Sequence, residues 1–110
     1  MNTEKIRQLN DEFRKDLTKG KCVMTSGISA LCGFKPERIT SLVNTVKTFN
    51  DFNEDNDPFK EHDFGSLMFD GVKVFWKIDY YDKTMKNGSN DPSNEELTTR
   101  VITIMKAEEY

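Results

Sequence analysis

Apolar and polar residues alternate through residues 61–82, and this period of two predicts a β-hairpin. Two runs rich in β-branched and aromatic residues flank Asp70-Gly71, which suits a two-residue type I′ turn because both residues tolerate a positive φ. The turn fixes a strand register in which four pairs lie opposite one another: Phe69 and Val72, Leu67 and Val74, Gly65 and Trp76, and Asp63 and Ile78.

The same register divides the side chains of the hairpin between two faces. We expect one face to contact the core, with Gly65 leaving room for the indole; it carries Leu67, Phe69, Val72, Val74, Trp76, Ile78 and Tyr80. The other face is mixed in character and carries His62, Phe64, Ser66, Met68, Lys73, Phe75, Lys77, Asp79 and Tyr81. On this second face the register places His62 opposite Asp79.

Two helices and a short strand are predicted before the hairpin. Residues 3–18 place Ile6, Leu9, Phe13 and Leu17 on one helical stripe, with Thr3 as a candidate cap. Residues 21–25 indicate a short strand. A second helix is predicted from near Pro36 to near residue 50, because its apolar residues also recur at helical spacing: Ile39, Leu42, Val43, Val46 and Phe49.

The segment after residue 97 is compatible with two structures. Leu97, Val101, Ile104 and Met105 would form a helical stripe, yet six of the seven residues from Thr98 to Ile104 are β-branched. We therefore predict a strand over residues 98–107, with apolar side chains on both faces as in an interior strand. The chain is then an α+β domain spanning residues 1–110, with an antiparallel sheet built on a central β-hairpin and two helices packed on the Trp76 face.

Composition and charge exclude several classes of protein. The chain has 110 residues and a net charge of −3, and residues 1–50 carry nine Lys or Arg against five acids, too small an excess to indicate a nucleic-acid partner. No signal peptide and no apolar run long enough to span a membrane is visible, so we expect a cytoplasmic protein with no membrane partner. Cys22 and Cys32 cannot make a disulfide framework, and we expect both to be reduced.

A metal or cofactor is not expected. Residues 51–58 alternate Asp and Asn as calcium loops do, but they lack the central Gly and the closing Glu at the required spacing. The chain has one histidine, which argues against a transition-metal site. We therefore interpret this acidic run as a solvated loop.

Two hypotheses compete for the mixed face of the hairpin. In the first, a small enzyme or ligand-binding domain uses His62, oriented by Asp79, with Lys77 and Tyr81 beside it. In the second, the face binds a partner protein or a second copy of the chain, through Phe64, Phe75 and Tyr81, with Lys77 and Asp79 toward the rim. Aromatic residues bordered by charges are typical of interface cores, and no serine or cysteine stands out as a nucleophile, so the second hypothesis is favoured.

Several segments also match a known family. They are Leu9-Asn10-Asp11, Phe13-Arg14, Asn56-Asp57-Pro58, residues 61–65, residues 75–82, Thr99-Arg100-Val101, Ile104-Met105 and Glu108-Glu109-Tyr110. Through them the chain resembles a family of short, functionally uncharacterised proteobacterial proteins, a domain of unknown function often carried on plasmids and phages. The resemblance implies no catalytic residues. It implies a mobile genetic element as the setting, where a chain of this size is expected to bind and inhibit a host protein such as a defence complex of the CRISPR or restriction type.

Overall fold

The computed structural model describes residues 2–110 and has an α+β fold. Its α-helices are α1 (Thr3–Lys15), α2 (Ser26–Leu31) and α3 (Pro36–Lys47). Its strands are β1 (Lys21–Met24), β2 (Phe64–Phe69), β3 (Val72–Tyr81) and β4 (Thr99–Lys106). Short 3-10 helices cover Leu17–Lys19, Glu95–Leu97 and Ala107–Glu109.

The predicted hairpin register is confirmed. Gly65 pairs with Trp76, Leu67 with Val74, and the backbone amide of Ile78 donates to the Asp63 carbonyl at 2.8 Å. Asp70 and Gly71 have φ angles of 52° and 75°, the two positive values that a type I′ turn requires. The turn chemistry and the alternation therefore suffice to determine this element.

The position of the hairpin within the sheet differs from the prediction. The strand order is β1-β4-β3-β2, so β2 is an edge strand and the centre of the sheet is β4 with β3. The sheet is mixed rather than antiparallel, because β1 pairs with β4 in parallel. β4 lies between β1 and the hairpin, which confirms that residues 99–106 form an interior strand.

The core lies on the Trp76 face, as predicted. Trp76 has no exposed surface, and side chains of all three α-helices pack into the same cluster, including Phe13, Ile28 and Leu42. The apolar pattern predicts two helices but not α2, because its six residues are too few to show a helical stripe. Thr25 caps this short helix by accepting from the Ile28 amide.

The first helix is shorter than predicted. It ends at Lys15 because Asp16 is extended, with φ −136°, and its side chain caps the 3-10 helix that follows. At the other end the cap is Asn2 rather than Thr3, since the Asn2 side chain accepts from the Lys5 amide at 3.0 Å. Within residues 2–110 no helix is long and apolar enough to cross a membrane.

The acidic segment between α3 and β2 uses its polar side chains to organise its own backbone. Asn53 Oδ1 accepts from the amides of Asp55 and Asn56, and Asn56 Nδ2 donates to the Asp51 carbonyl at 2.8 Å. These are Asx-type turns, in which the side chain replaces a backbone hydrogen-bonding partner. The loop leads the chain to His62 and the start of β2.

Candidate functional site

The face of the sheet opposite Trp76 carries the residues expected to bind a partner. The packed α-helices contribute to the core on the other side, and we call this surface the open face. By strand register it is formed by Lys21, Val23, Phe64, Ser66, Met68, Lys73, Phe75, Lys77, Asp79, Tyr81, Thr99, Val101, Thr103 and Met105.

Three aromatic rings form a cluster at one end of the open face. The centroids of Phe64 and Phe75 are 5.0 Å apart, and the Tyr110 ring lies 5.7 Å from Phe75 and 6.1 Å from Phe64. All three pairs have edge-to-face geometry, which is favourable beyond the area that it buries. Tyr110 is 75% exposed, so the cluster borders solvent.

Phe64, Phe75 and Tyr81 share the open face by strand register, as predicted, but the ring cluster on that face has a different third member. Phe64 and Phe75 are brought together as expected, but Tyr81 makes no ring contact with them within the described chain, and Tyr110 takes the third place. The backbone of Tyr81 instead forms an isolated bridge with Gly88. Periodicity within the hairpin could not reveal Tyr110, because the 3-10 helix Ala107–Glu109 carries it back over β3.

Charged side chains border the aromatic cluster. Lys77 Nζ lies 3.2 Å from Asp79 Oδ2, and both side chains are more than one third exposed. Lys73 Nζ lies 5.8 Å from the centre of the Phe75 ring, within the range of a cation–π contact. The aromatic cluster on the open face therefore has a charged border.

His62 does not lie opposite Asp79, contrary to the prediction. Its φ of 56° ends the strand alternation two residues before β2 begins, and its ring stacks on Phe52 at 3.7 Å. Phe52 packs against the core on the Trp76 side, whereas Asp79 belongs to the open face and pairs with Val101 of β4. The two members of the proposed dyad are thus on opposite sides of the sheet.

The partners of His62 come from α1 and from the acidic loop. Its Nδ1 lies 2.8 Å from Asp11 Oδ1, and its Nε2 lies 3.6 Å from Asp57 Oδ2. The His62 backbone amide also donates to Asp57 at 3.0 Å. Each ring nitrogen lies against a carboxylate of the protein itself, so the arrangement clamps the loop to α1 rather than presenting a base to a substrate.

Arg14 extends this clamp into the core. It is 3% exposed, pairs with Asp11 at 3.2 Å and donates to the Phe49 carbonyl at 3.0 Å. Its guanidinium carbon lies 5.2 Å from the Phe52 ring centre and 5.1 Å from that of Trp76. Burial lowers the pKa of Arg14, while the neighbouring Asp11 acts in the opposite direction.

A second polar network is centred on Asn10, which has no exposed surface. Its Nδ2 donates to the Glu61 carbonyl at 2.9 Å and to the Tyr80 hydroxyl at 2.8 Å, and its Oδ1 accepts from Arg100 Nε at 2.7 Å. Tyr80 donates in turn to the Glu61 carboxylate, and burial raises the pKa of Tyr80 above its ordinary value. These contacts connect α1 to β3, to β4 and to the segment before β2.

Sequence reasoning missed both networks, although one signal was present. Asn10 and Arg14 follow Ile6 at spacings of four, which places them on the buried side of α1 beside the apolar stripe. Polar residues at such positions indicate buried hydrogen bonds. Apart from Asp11, their partners are 35 to 90 residues away in the chain, so the identity of those partners could not be read from local spacing.

Comparison with known proteins gives one match. A family model described as "Protein of unknown function (DUF3768)" matches residues 24–109. No curated protein and no solved structure matches the chain significantly.

Proposed function

The chain belongs to the DUF3768 family of proteins of unknown function, and we propose that this member is an interaction protein that binds a partner protein through the open face of its sheet. The observation that carries the proposal is the Phe64–Phe75–Tyr110 cluster, which borders solvent on a face without a packed α-helix. The Lys77–Asp79 pair beside it supplies a polar rim.

Three of the six exposed large apolar side chains within residues 2–110 belong to this surface, and the other three, Phe34, Phe59 and Leu97, lie in three separate turns or short 3-10 segments. Val23, Met68 and Tyr110 are 47%, 63% and 75% exposed, and all three belong to the open face or to its aromatic cluster. Val23 and Met68 lie on the two edge strands of the sheet, and Val101 and Met105 between them are buried, so the proposal depends on the aromatic cluster. Exposed apolar clusters of this kind mark contact sites. Aromatic anchors surrounded by polar groups also match the anatomy of measured interfaces, in which a few such residues contribute most of the affinity.

The nature of the partner is inferred from the resemblance to plasmid- and phage-borne proteins. In that setting the partner is a host protein in the cytoplasm, for example a component of a defence complex of the CRISPR or restriction type, and binding blocks its action. Self-association through the open face is the other outcome that the same surface permits. The enzymatic alternative receives no support from the geometry, because His62 and Asp79 lie on opposite sides of the sheet.

The proposal is tested by replacing Phe75, which lies on the interior strand β3 and contacts both other rings of the cluster. Phe75→Asp is expected to weaken partner binding by at least about 2 kcal/mol, or roughly 30-fold, because it truncates a central aromatic anchor. Phe34→Asp is the matched control, since Phe34 is 72% exposed and lies in the turn after α2. Circular dichroism verifies the fold of both variants, light scattering reports oligomeric state, and cross-linking of captured partners maps the contact.

Two results would contradict the proposal. One is a folded Phe75→Asp protein with unchanged oligomeric state and unchanged partner capture. The other is an equal loss of capture in Phe34→Asp, which would show that general surface hydrophobicity is responsible. Capture that falls steeply with salt in both variants would instead indicate a nucleic-acid partner.

A further inference from the structure

A cavity of about 270 Å³ lies on the helix side of the sheet, away from the open face. Leu9 and Phe13 of α1 form its apolar part. Its polar part has three cationic side chains, one carboxylate and one hydroxyl, contributed by Lys19, Lys83, Arg100, Glu95 and Thr98. These residues come from four separate segments, so only the folded chain assembles them.

Arg100 is the unusual member of this group. It is 5% exposed, yet it forms no ion pair with any residue of the described range 2–110. Its Nε donates to the Asn10 side chain and its Nη2 to the Pro92 carbonyl, and both acceptors are neutral. Arg14, which is buried to the same degree, has Asp11 as its counter-ion. Burial lowers the pKa of Arg100, whereas Tyr80, Glu95 and Glu61 act in the opposite direction. Neither carboxylate lies within ion-pair distance, and a buried charge without a directly paired counter-ion is costly.

One nitrogen of Arg100 remains available. Nη1 has no hydrogen-bond partner within residues 2–110. It is also not one of the fully buried polar atoms that lack a partner, so part of its surface is accessible to solvent. The cavity is the accessible space that Arg100 lines. The guanidinium is also held in place, because its carbon lies 5.1 Å from the centre of the Tyr80 ring.

The backbone around the cavity is closely packed and therefore preformed. A Cβ on Gly20 would collide with the Arg100 carbonyl oxygen and would lie 2.7 Å from Cε1 of Phe13. The absence of a side chain at Gly20 lets the 3-10 helix Leu17–Lys19 end directly against β4. The backbone of Lys19 is thereby placed beside β4, and Lys19 lines the same cavity as Arg100.

We propose that this cavity binds a phosphate group. Three cations against one carboxylate leave an excess of positive charge that matches a dianion better than a singly charged carboxylate. Donors that approach from separate segments suit a tetrahedral group with several acceptor oxygens, and charge-assisted hydrogen bonds of this kind are the strong ones. The volume accommodates a phosphate with a small substituent, and the bound group is the counter-ion that Arg100 lacks.

The test is a titration of the full chain at constant ionic strength, monitored by two-dimensional amide NMR. The probes are inorganic phosphate, glycerol 3-phosphate and acetate. Arg100 itself is a poor target because its loss would disturb the Asn10 network, so the variant is the double substitution Lys19→Gln with Lys83→Gln. The matched control is Lys35→Gln with Lys73→Gln, which removes two exposed lysines elsewhere on the surface.

We expect both phosphate probes to give saturable shifts at amides around Lys19, Lys83 and Arg100, and acetate to give none. The double variant at the cavity should bind phosphate at least about tenfold more weakly, as expected for the loss of one or more charge-assisted hydrogen bonds, and the control should bind as the wild type does. Tighter binding of glycerol 3-phosphate assigns the site to phosphate esters, and tighter binding of inorganic phosphate to the free ion. Non-saturating shifts, equal binding of acetate, or an equal loss in the control would overturn the proposal.

Discussion

Gly65 is the position at which a single methyl group tests the packing of the hairpin. Its cross-strand partner on β3 is Trp76, which is fully buried. A Cβ at Gly65 would lie 2.6 Å from Cε2 and 2.8 Å from Cζ2 of the indole, and closer still to Nε1. All three atoms belong to one rigid ring system that contacts Phe49, Phe52 and Arg14, so the ring cannot move aside without displacing the core.

Gly65→Ala should therefore destabilise the fold. Overpacking of a filled core costs about 1–3 kcal/mol, and the reduced entropy of the unfolded chain returns about 0.4–1 kcal/mol. The expected net loss is about 1–2 kcal/mol, equivalent to a fall of about 1 M in the midpoint of urea unfolding. Trp76 is the one tryptophan of the chain, so its fluorescence reports unfolding and the local disturbance together.

Two comparisons make the experiment specific. Gly88→Ala is the matched control, because the nearest atom to its new Cβ would be the Tyr80 carbonyl oxygen at 3.8 Å, an ordinary contact. Trp76→Phe removes the indole atoms that collide, so in that background Gly65→Ala should cost less than about 0.5 kcal/mol, measured by circular dichroism. A Gly65→Ala protein as stable as Gly88→Ala, or an undiminished cost in the Trp76→Phe background, would refute the packing argument.

Two further predictions concern buried polar groups. Asn10→Leu should cost on the order of 3 kcal/mol in urea unfolding, because it leaves the Arg100 Nε and the Glu61 carbonyl without a partner, whereas the same change at exposed Asn44 should be close to neutral. Burial is the main cause, and the nearby Glu61 the second, that raises the pKa of Asp63 above its ordinary value of 3.8. Because the carboxyl ionises less readily in the folded chain than in the unfolded one, the free energy of unfolding falls as the pH rises past 3.8. Asp63→Asn should then stabilise the protein at pH 7 and make no difference below about pH 3, where the carboxyl is neutral in both folded and unfolded chains. A wild type that is more stable than Asp63→Asn at pH 7 would contradict this reasoning.

Elements that depend on near neighbours could be predicted from the amino-acid sequence alone. The Asp70-Gly71 turn and the alternation around it were enough for the register of β2 and β3, the burial of Trp76 and the contact of Phe64 with Phe75. The density of β-branched residues was sufficient to distinguish strand from helix over β4. In each case the structure is determined by the backbone preferences and side-chain directions of residues a few positions apart.

The way these elements combine is set by contacts between distant parts of the chain. Insertion of β4 between β1 and the hairpin depends on pairings across about 80 residues, and nothing in the local pattern distinguishes that order from an antiparallel one. The positive φ at His62 turned its ring away from Asp79 and toward Asp11, 51 residues earlier. Arg100 and Asn10 meet across 90 residues. Buried polar groups take whichever partners the packed chain brings within hydrogen-bonding distance, so the whole fold makes that choice.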